Sequence, residues 1–228
     1  MGFKQLVCGA MLLIVAAASA QTPATAPAPA GPQRWEEQIQ SFEAADREQM
    51  PDPSGVVFVG SSSIRGWKLQ QAFPGTNVIN RGFGGSRASD AAHFAERLIT
   101  PYKPRLVIFY SGENDVAAGA APQDVLDSFS QFVDKVRQHQ PDLKIAFISL
   151  KPSPARWHLN DKFQQTNRLI REYIDSQSNM HFIDIQPDML DESGQPREEL
   201  FVKDMLHMNE KGYAIWNEKL RPFVEGEK

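Results

Sequence analysis

The sequence predicts an α/β domain built on a five-stranded parallel sheet covered by helices on both faces. Three observations predict it. Short runs of β-branched and aromatic residues alternate with longer stretches of helical periodicity. The central run, Arg105–Tyr110, is apolar almost throughout, as a strand buried on both faces should be. Small and polar residues follow the first three runs directly, where an open parallel sheet places its ligands.

In order along the chain, residues 1–20 read as an export signal: Lys4 is the basic region, Leu12-Leu13-Ile14-Val15 the apolar core, and Ala18-Ser19-Ala20 the small-residue cleavage pattern. The apolar stretch is short for a membrane span. Cys8 lies before most of the apolar core, where a lipid-modified cysteine would not stand. Cleavage before Gln21 removes Cys8, the only cysteine, together with Lys4. The formal charge then moves from −4 to −5 (23 basic against 28 acidic residues), with no stable membrane anchor left. Residues 21–33 alternate proline with alanine and threonine and read as an extended tether. The folded domain is expected over residues 34–228.

Trp35 to Gln49 has helical spacing, with Trp35, Ile39, Phe42 and Ala45 on one face. Gly55–Gly60 reads as the first strand, Gly66–Phe73 as a short helix or turn, and Asn77–Asn80 as the second strand. A helix is expected over Ala88–Ile99, and the third strand is Arg105–Tyr110. Pro122–Gln138 is a helix with proline in its tolerant first turn. Lys144–Leu150 is the fourth strand, Asn160–Ser176 a helix, and His181–Ile185 the fifth strand. A loop of about twenty residues, long enough to wall a site, leads to Asp204. Asn209–Val224 closes the domain as a helix.

The totals exclude several function classes. An apolar content of 41% over 228 residues supports one ordinary domain. No block of like charge offers a phosphate-backbone footprint, so no nucleic-acid partner is expected. With one cysteine, disulfides and thiolate metal sites are excluded, and no acid and histidine cluster has ligand spacing, so neither metal nor cofactor is expected. The Gly82–Ser86 loop is no dinucleotide fingerprint, because Arg87 stands where the third glycine belongs.

Four pieces carry the chemistry. Gly60-Ser61-Ser62-Ser63 ends the first strand; alone, a serine there reads as a helix cap. Gly82–Ser86 follows the second strand, Gly112-Glu113-Asn114-Asp115 the third, and Asp204-Met205-Leu206-His207 precedes the last helix. Each has a bland reading as a turn. Together they meet the needs of acyl transfer: a serine hydroxyl requires a base, the base requires an orienting group, and the developing oxyanion requires donors. Ser62 would be the nucleophile, His207 the base and Asp204 the orienter. Ser62 N–H, Gly85 N–H and the Asn114 side-chain amide would be the donors.

These four blocks, in this order, resemble those of the SGNH (GDSL-type) esterase and lipase superfamily over about residues 55–220. The resemblance implies a three-layer α/β/α, flavodoxin-like sheet. It also implies Ser62 as nucleophile, Gly85 and Asn114 as oxyanion donors, and Asp204 and His207 as the rest of the triad. One departure is Ser61, where the family usually has aspartate. It leaves Ser61 and Ser63 as rival hydroxyls, although the family register favours Ser62.

The mouth of such a site would draw on Arg65, Trp67, Arg81, Arg87, Lys151, Arg156 and Trp157. Of these, Arg65, Trp67, Arg87 and Arg156 stand as candidate substrate contacts. Arginine and aromatic side chains suit sugars or anionic groups, although the same residues also read as solvated loop or core positions. The expected protein is an exported, periplasmic or secreted serine esterase acting on small-molecule or glycan esters with short acyl groups. Its rivals are a catalytically silent glycan or cell-wall binder of the same fold, and a lysophospholipase- or thioesterase-type acyl hydrolase.

Overall fold

A computed structural model describes residues 1–2 and 31–226. Nearly all of the expected signal and of the tether lies outside the described residues. The tether's last residues belong to a 3-10 turn, Gly31–Trp35, so regular structure begins before the expected Arg34.

Five strands, β1 (Val56–Gly60), β2 (Val78–Gly82), β3 (Leu106–Tyr110), β4 (Lys144–Ile148) and β5 (Met180–Ile183), pair in parallel in the order β2-β1-β3-β4-β5. The helices are α1 (Glu36–Glu48), α2 (Ser62–Arg65), α3 (Leu69–Ala72), α4 (Ala88–His93), α5 (Ala95–Ile99), α6 (Glu113–Ala117), α7 (Pro122–His139), α8 (Asn160–Asp175), α9 (Gln186–Met189) and α10 (Glu210–Glu225). Successive strand residues point to opposite faces, and the end of β3 shows both. Phe109 packs on Phe129 and Phe132 of α7, at ring distances of 5.0 and 4.8 Å, while Tyr110 packs on Trp216 of α10 at 4.7 Å. The sheet is therefore covered on both sides.

Two expectations are corrected. The second strand runs on to Gly82, carrying Arg81 into the core, where its guanidinium bonds Asp46 at 2.5 Å and the Tyr102 hydroxyl at 2.7 Å. Arg81 is thus not at the mouth. The helix expected over Ala88–Ile99 is broken at Phe94, whose backbone (φ −95, ψ 11) turns the chain while its ring is buried against Phe83.

Register assembles the site. Gly60 pairs with Gly82 on one side and with Tyr110 on the other, so β1, β2 and β3 end level. Ser62, Gly85 and Asn114 follow within a few residues and share the carboxyl edge, beside the point where strand order reverses. Gly60 makes this close approach possible. Its φ is +145, and a Cβ there would lie 1.9 Å from the Tyr110 carbonyl oxygen.

Candidate active site

Ser61, Ser62 and Ser63 leave β1 in three different directions. Ser61 is buried at the cap of α2, its N–H bonded to Tyr110 O and its carbonyl accepting from Ile64 and Arg65. Its side chain makes no capping bond. Ser63 is buried too, its hydroxyl 3.4 Å from Lys151 Nζ. Ser62 is the first residue of α2 and the most exposed of the three; its Oγ lies 3.0 Å from His207 Nε2. The rival hydroxyls are thereby separated by geometry. With four residues, α2 has little dipole, so any help to an oxyanion comes from the Ser62 N–H itself.

His207 and Asp204 come from a small self-folded turn. Phe201 and Met208 form an antiparallel bridge, and Val202 N donates to His207 O at 2.8 Å. Inside the turn Asp204 Oδ1 accepts from Leu206 N and His207 N at 2.9 Å, while Oδ2 lies 2.6 Å from His207 Nδ1. Met205 adopts φ +55 to close it. Burial would raise the Asp204 carboxyl, but the His207 ring and the two N–H donors outweigh it and bring the pKa down to about 2. Asp204 therefore stays ionised, and a carboxylate on Nδ1 fixes the tautomer that presents Nε2 to Ser62 as an acceptor.

The Gly112–Asp115 loop ties the remaining pieces together. Asn114 Nδ2 donates to Ser86 O at 2.9 Å, and Asn114 Oδ1 accepts from Arg156 Nη2 at 2.9 Å. Asp115 accepts the Ala88 N–H on both carboxylate oxygens, at 3.0 Å each. Glu113 is buried against Lys151 Nζ and the Tyr110 hydroxyl. Among the described residues neither the Ser62 nor the Gly85 N–H has a protein acceptor, and Asn114 keeps one amide hydrogen uncommitted. A hydroxyl on an oriented imidazole, with N–H donors on the same edge, is an arrangement able to carry acyl transfer.

A family model for GDSL-like lipases and acylhydrolases matches residues 54–215. The chain belongs to that family. This GDSL-like acylhydrolase is a carboxylic ester hydrolase. It is 25% identical over 210 residues to human platelet-activating factor acetylhydrolase IB subunit alpha1, covering 85% of this chain and 86% of the relative. Among solved structures it resembles a GDSL-like lipase from Bacteroides thetaiotaomicron (TM-score 0.71, 19% identity, 82% of this chain and 97% of that one). It also resembles a family 3 carbohydrate esterase from Clostridium thermocellum (TM-score 0.59, 16% identity, 75% and 96%).

The four expected contact residues of this acylhydrolase have different surroundings. Arg65 is exposed, its guanidinium against Gly84, where a Cβ would fall 2.4 Å from Cζ. Arg87 is exposed at the cap of α4, its N–H on Asp90. Arg156 reaches Asn114, as described. Trp67 is corrected to a core residue: it is 4% exposed, packs on Phe58, Phe73, Tyr213 and Trp216, and donates its indole N–H to Asn217 at 2.8 Å. A groove of about 290 Å³ beside α2 and α10 takes Gly66, Trp67, Lys68, Met208 and Tyr213 as walls, so Trp67, though buried, borders open space on the flank of the site. Lys151, expected at the mouth, is buried behind Ser63; burial pushes its pKa down against the pull of Glu113.

Sequence reasoning missed Trp35. Helical spacing assigned it to the inward face of α1, yet its ring stands beside Gly85, 3.4 Å from where a Cβ would be. It packs edge-on against Phe83 and donates to Asp90 at 3.1 Å. Nothing local announces this, because the contact joins residue 35 to a loop fifty residues later.

Proposed function

We propose that this protein is an exported serine esterase that removes short acyl groups, acetyl foremost, from esters of small molecules or carbohydrates. The observation that carries the proposal is the hydrogen-bonded line from Asp204 through His207 to Ser62, with contacts of 2.6 and 3.0 Å. In this reading His207 Nε2 takes the Ser62 proton as Oγ attacks the ester carbonyl. The electron pair moves onto the carbonyl oxygen, which Ser62 N–H, Gly85 N–H and Asn114 Nδ2 receive. The bond to the alcohol then breaks, and His207 gives its proton to the departing oxygen. Water, deprotonated by His207, attacks the acyl-Ser62 carbonyl; the bond to Ser62 Oγ then breaks, His207 gives that oxygen its proton, and the carboxylic acid is released. Asp204 remains ionised and holds the imidazolium without taking its proton.

The substrate reading is supported by names: an acetylhydrolase among the relatives, and an acetyl esterase and carbohydrate esterases among the structures of like fold. Export is supported by the leader pattern of residues 1–20.

The test is hydrolysis of p-nitrophenyl acetate, butyrate and octanoate and of acetylated xylan by the protein and by Ser62→Ala. Turnover should be highest on acetate and fall by about 10⁴–10⁶ in the variant. A fluorophosphonate should label Ser62. Absence of both turnover and labelling would overturn the serine esterase reading, and turnover rising with chain length would overturn the short-acyl reading.

A further inference from the structure

The oxyanion reading of Asn114 leaves open what keeps its amide the right way round. An asparagine amide has a donor end and an acceptor end, and their exchange is nearly free unless the neighbours distinguish them. Here they do. Ser86 O can only accept, and it faces Asn114 Nδ2 at 2.9 Å. Arg156 can only donate, and its Nη2 faces Asn114 Oδ1 at 2.9 Å. A flipped amide would set oxygen against oxygen and N–H against a cation. We propose that Arg156 is a positioning residue that locks the Asn114 amide with its free N–H toward the oxyanion. The proposal rests on the reading of Asn114 given above.

The segment carrying Arg156 is built to hold it still. Leu150, at its root, has its N–H on Asn167 Oδ1 and its carbonyl under Gln186 Nε2, both at 2.8 Å. Lys151 grips Glu113 next to Asn114, so two cations of one segment hold two successive residues of the Gly112–Asp115 loop. Pro152 and Pro154 restrict the backbone on either side of Ser153. Ala155 N donates to Met205 O at 3.0 Å, inside the turn that presents Asp204 and His207. Residues 151–156 thus touch both the oxyanion donor and the acid–base turn, and set the span between them. The guanidinium also polarises the amide it holds, which strengthens the opposite N–H as a donor.

The test combines kinetics with a readout that needs no turnover. In ¹⁵N-labelled protein the Asn114 side-chain amide is assigned by its loss in Asn114→Ala, then followed in Arg156→Ala and Arg156→Lys. Kinetics on p-nitrophenyl acetate are measured for the same variants and for Arg156→Ala/Asn114→Ala. Arg156→Ala should lower kcat about 10–50-fold with KM within about twofold, about the effect of one hydrogen bond to a charged group. Arg156→Lys should restore part of that loss, and in the Asn114→Ala background Arg156→Ala should cost less than about twofold. The Asn114 amide resonances should shift or broaden in Arg156→Ala. A raised KM with unchanged kcat would make Arg156 a substrate contact and overturn the proposal, as would an equal loss in both backgrounds or unmoved Asn114 resonances. A wild-type protein inert toward esters would remove the esterase reading, while a moved Asn114 resonance would still support the lock.

Discussion

Asp115 and Asp204 brace opposite halves of the site with the same kind of bond, a carboxylate receiving backbone N–H. Asp115 holds the start of α4 through Ala88, and Asp204 holds the His207 turn through Leu206 and His207. Their electrostatics run in opposite directions. Asp115 is 4% exposed, and burial pushes its pKa up to about 6 despite the Ala88 N–H. The Asp204 side chain is 48% exposed and sits at about 2, because donors outweigh burial. The half proposed to receive the oxyanion is continuous with the core, and burying its carboxylate costs stability. The half proposed to move the proton is an exposed turn that folds on itself, with its charge kept beside the ring. Substitutions at the buried braces of the first half should therefore report in stability, and those in the Asp204–His207 turn in turnover.

Ordered by expected change in stability, Gly60→Ala comes first. A Cβ 1.9 Å from Tyr110 O, at φ +145, forces β1 and β3 apart, and a loss above about 4 kcal/mol is expected in urea unfolding. A variant within about 1 kcal/mol of wild type would break the claim that the core sets this half. Lys151→Met comes next, at about 3–5 kcal/mol, because it strands the buried Glu113 carboxyl. Lys151→Met/Glu113→Leu should be more stable than Lys151→Met alone; strictly additive losses would mean that the pair does not interact. Asp204→Asn belongs at the other extreme. It should change stability by less than about 1 kcal/mol, yet lower turnover by roughly 10⁴ by disturbing the His207 tautomer. A large stability loss there would erase the contrast.

The same contrast governs what was legible in the sequence. The Asp204–His207 pairing could be read because the two lie three residues apart and the turn closes locally, so Asp204-x-x-His207 displays its own geometry. The sheet could be read because buried parallel strands are apolar runs, and the level strand ends then followed from pairing. The interior behind the Gly112–Asp115 loop could not. Lys151 and Glu113 stand 38 residues apart and meet only through the alignment of β3 with β4, so Lys151 in a proline loop read as a solvated mouth residue. Trp67 read as either a mouth residue or a core one, because the rings that bury it come from β1, α10 and the loop before β2. Arg156 was found as a candidate substrate contact, but its bond to Asn114 could not be read, because 42 residues separate the two.

The pH dependence of stability separates the two aspartates on its own. Asp115 has a folded pKa raised from 3.8 to about 6, so its contribution to stability is full below about pH 4 and is lost as pH rises through 6. Asp204 has a folded pKa lowered from 3.8 to about 2, so its contribution is present above about pH 4 and is lost as pH falls toward 2. Asp115→Asn should therefore gain on wild type between pH 4 and 6, by at most about 3 kcal/mol. Asp204→Asn should hold a constant difference over that range and converge on wild type only below about pH 4. Urea midpoints in half-unit pH steps give both difference curves, and subtracting wild type removes the other carboxylates from each. Parallel curves from pH 4 to 6 would mean that the two carboxylates feel the same surroundings, and the division of the site into a core half and a surface half would fail.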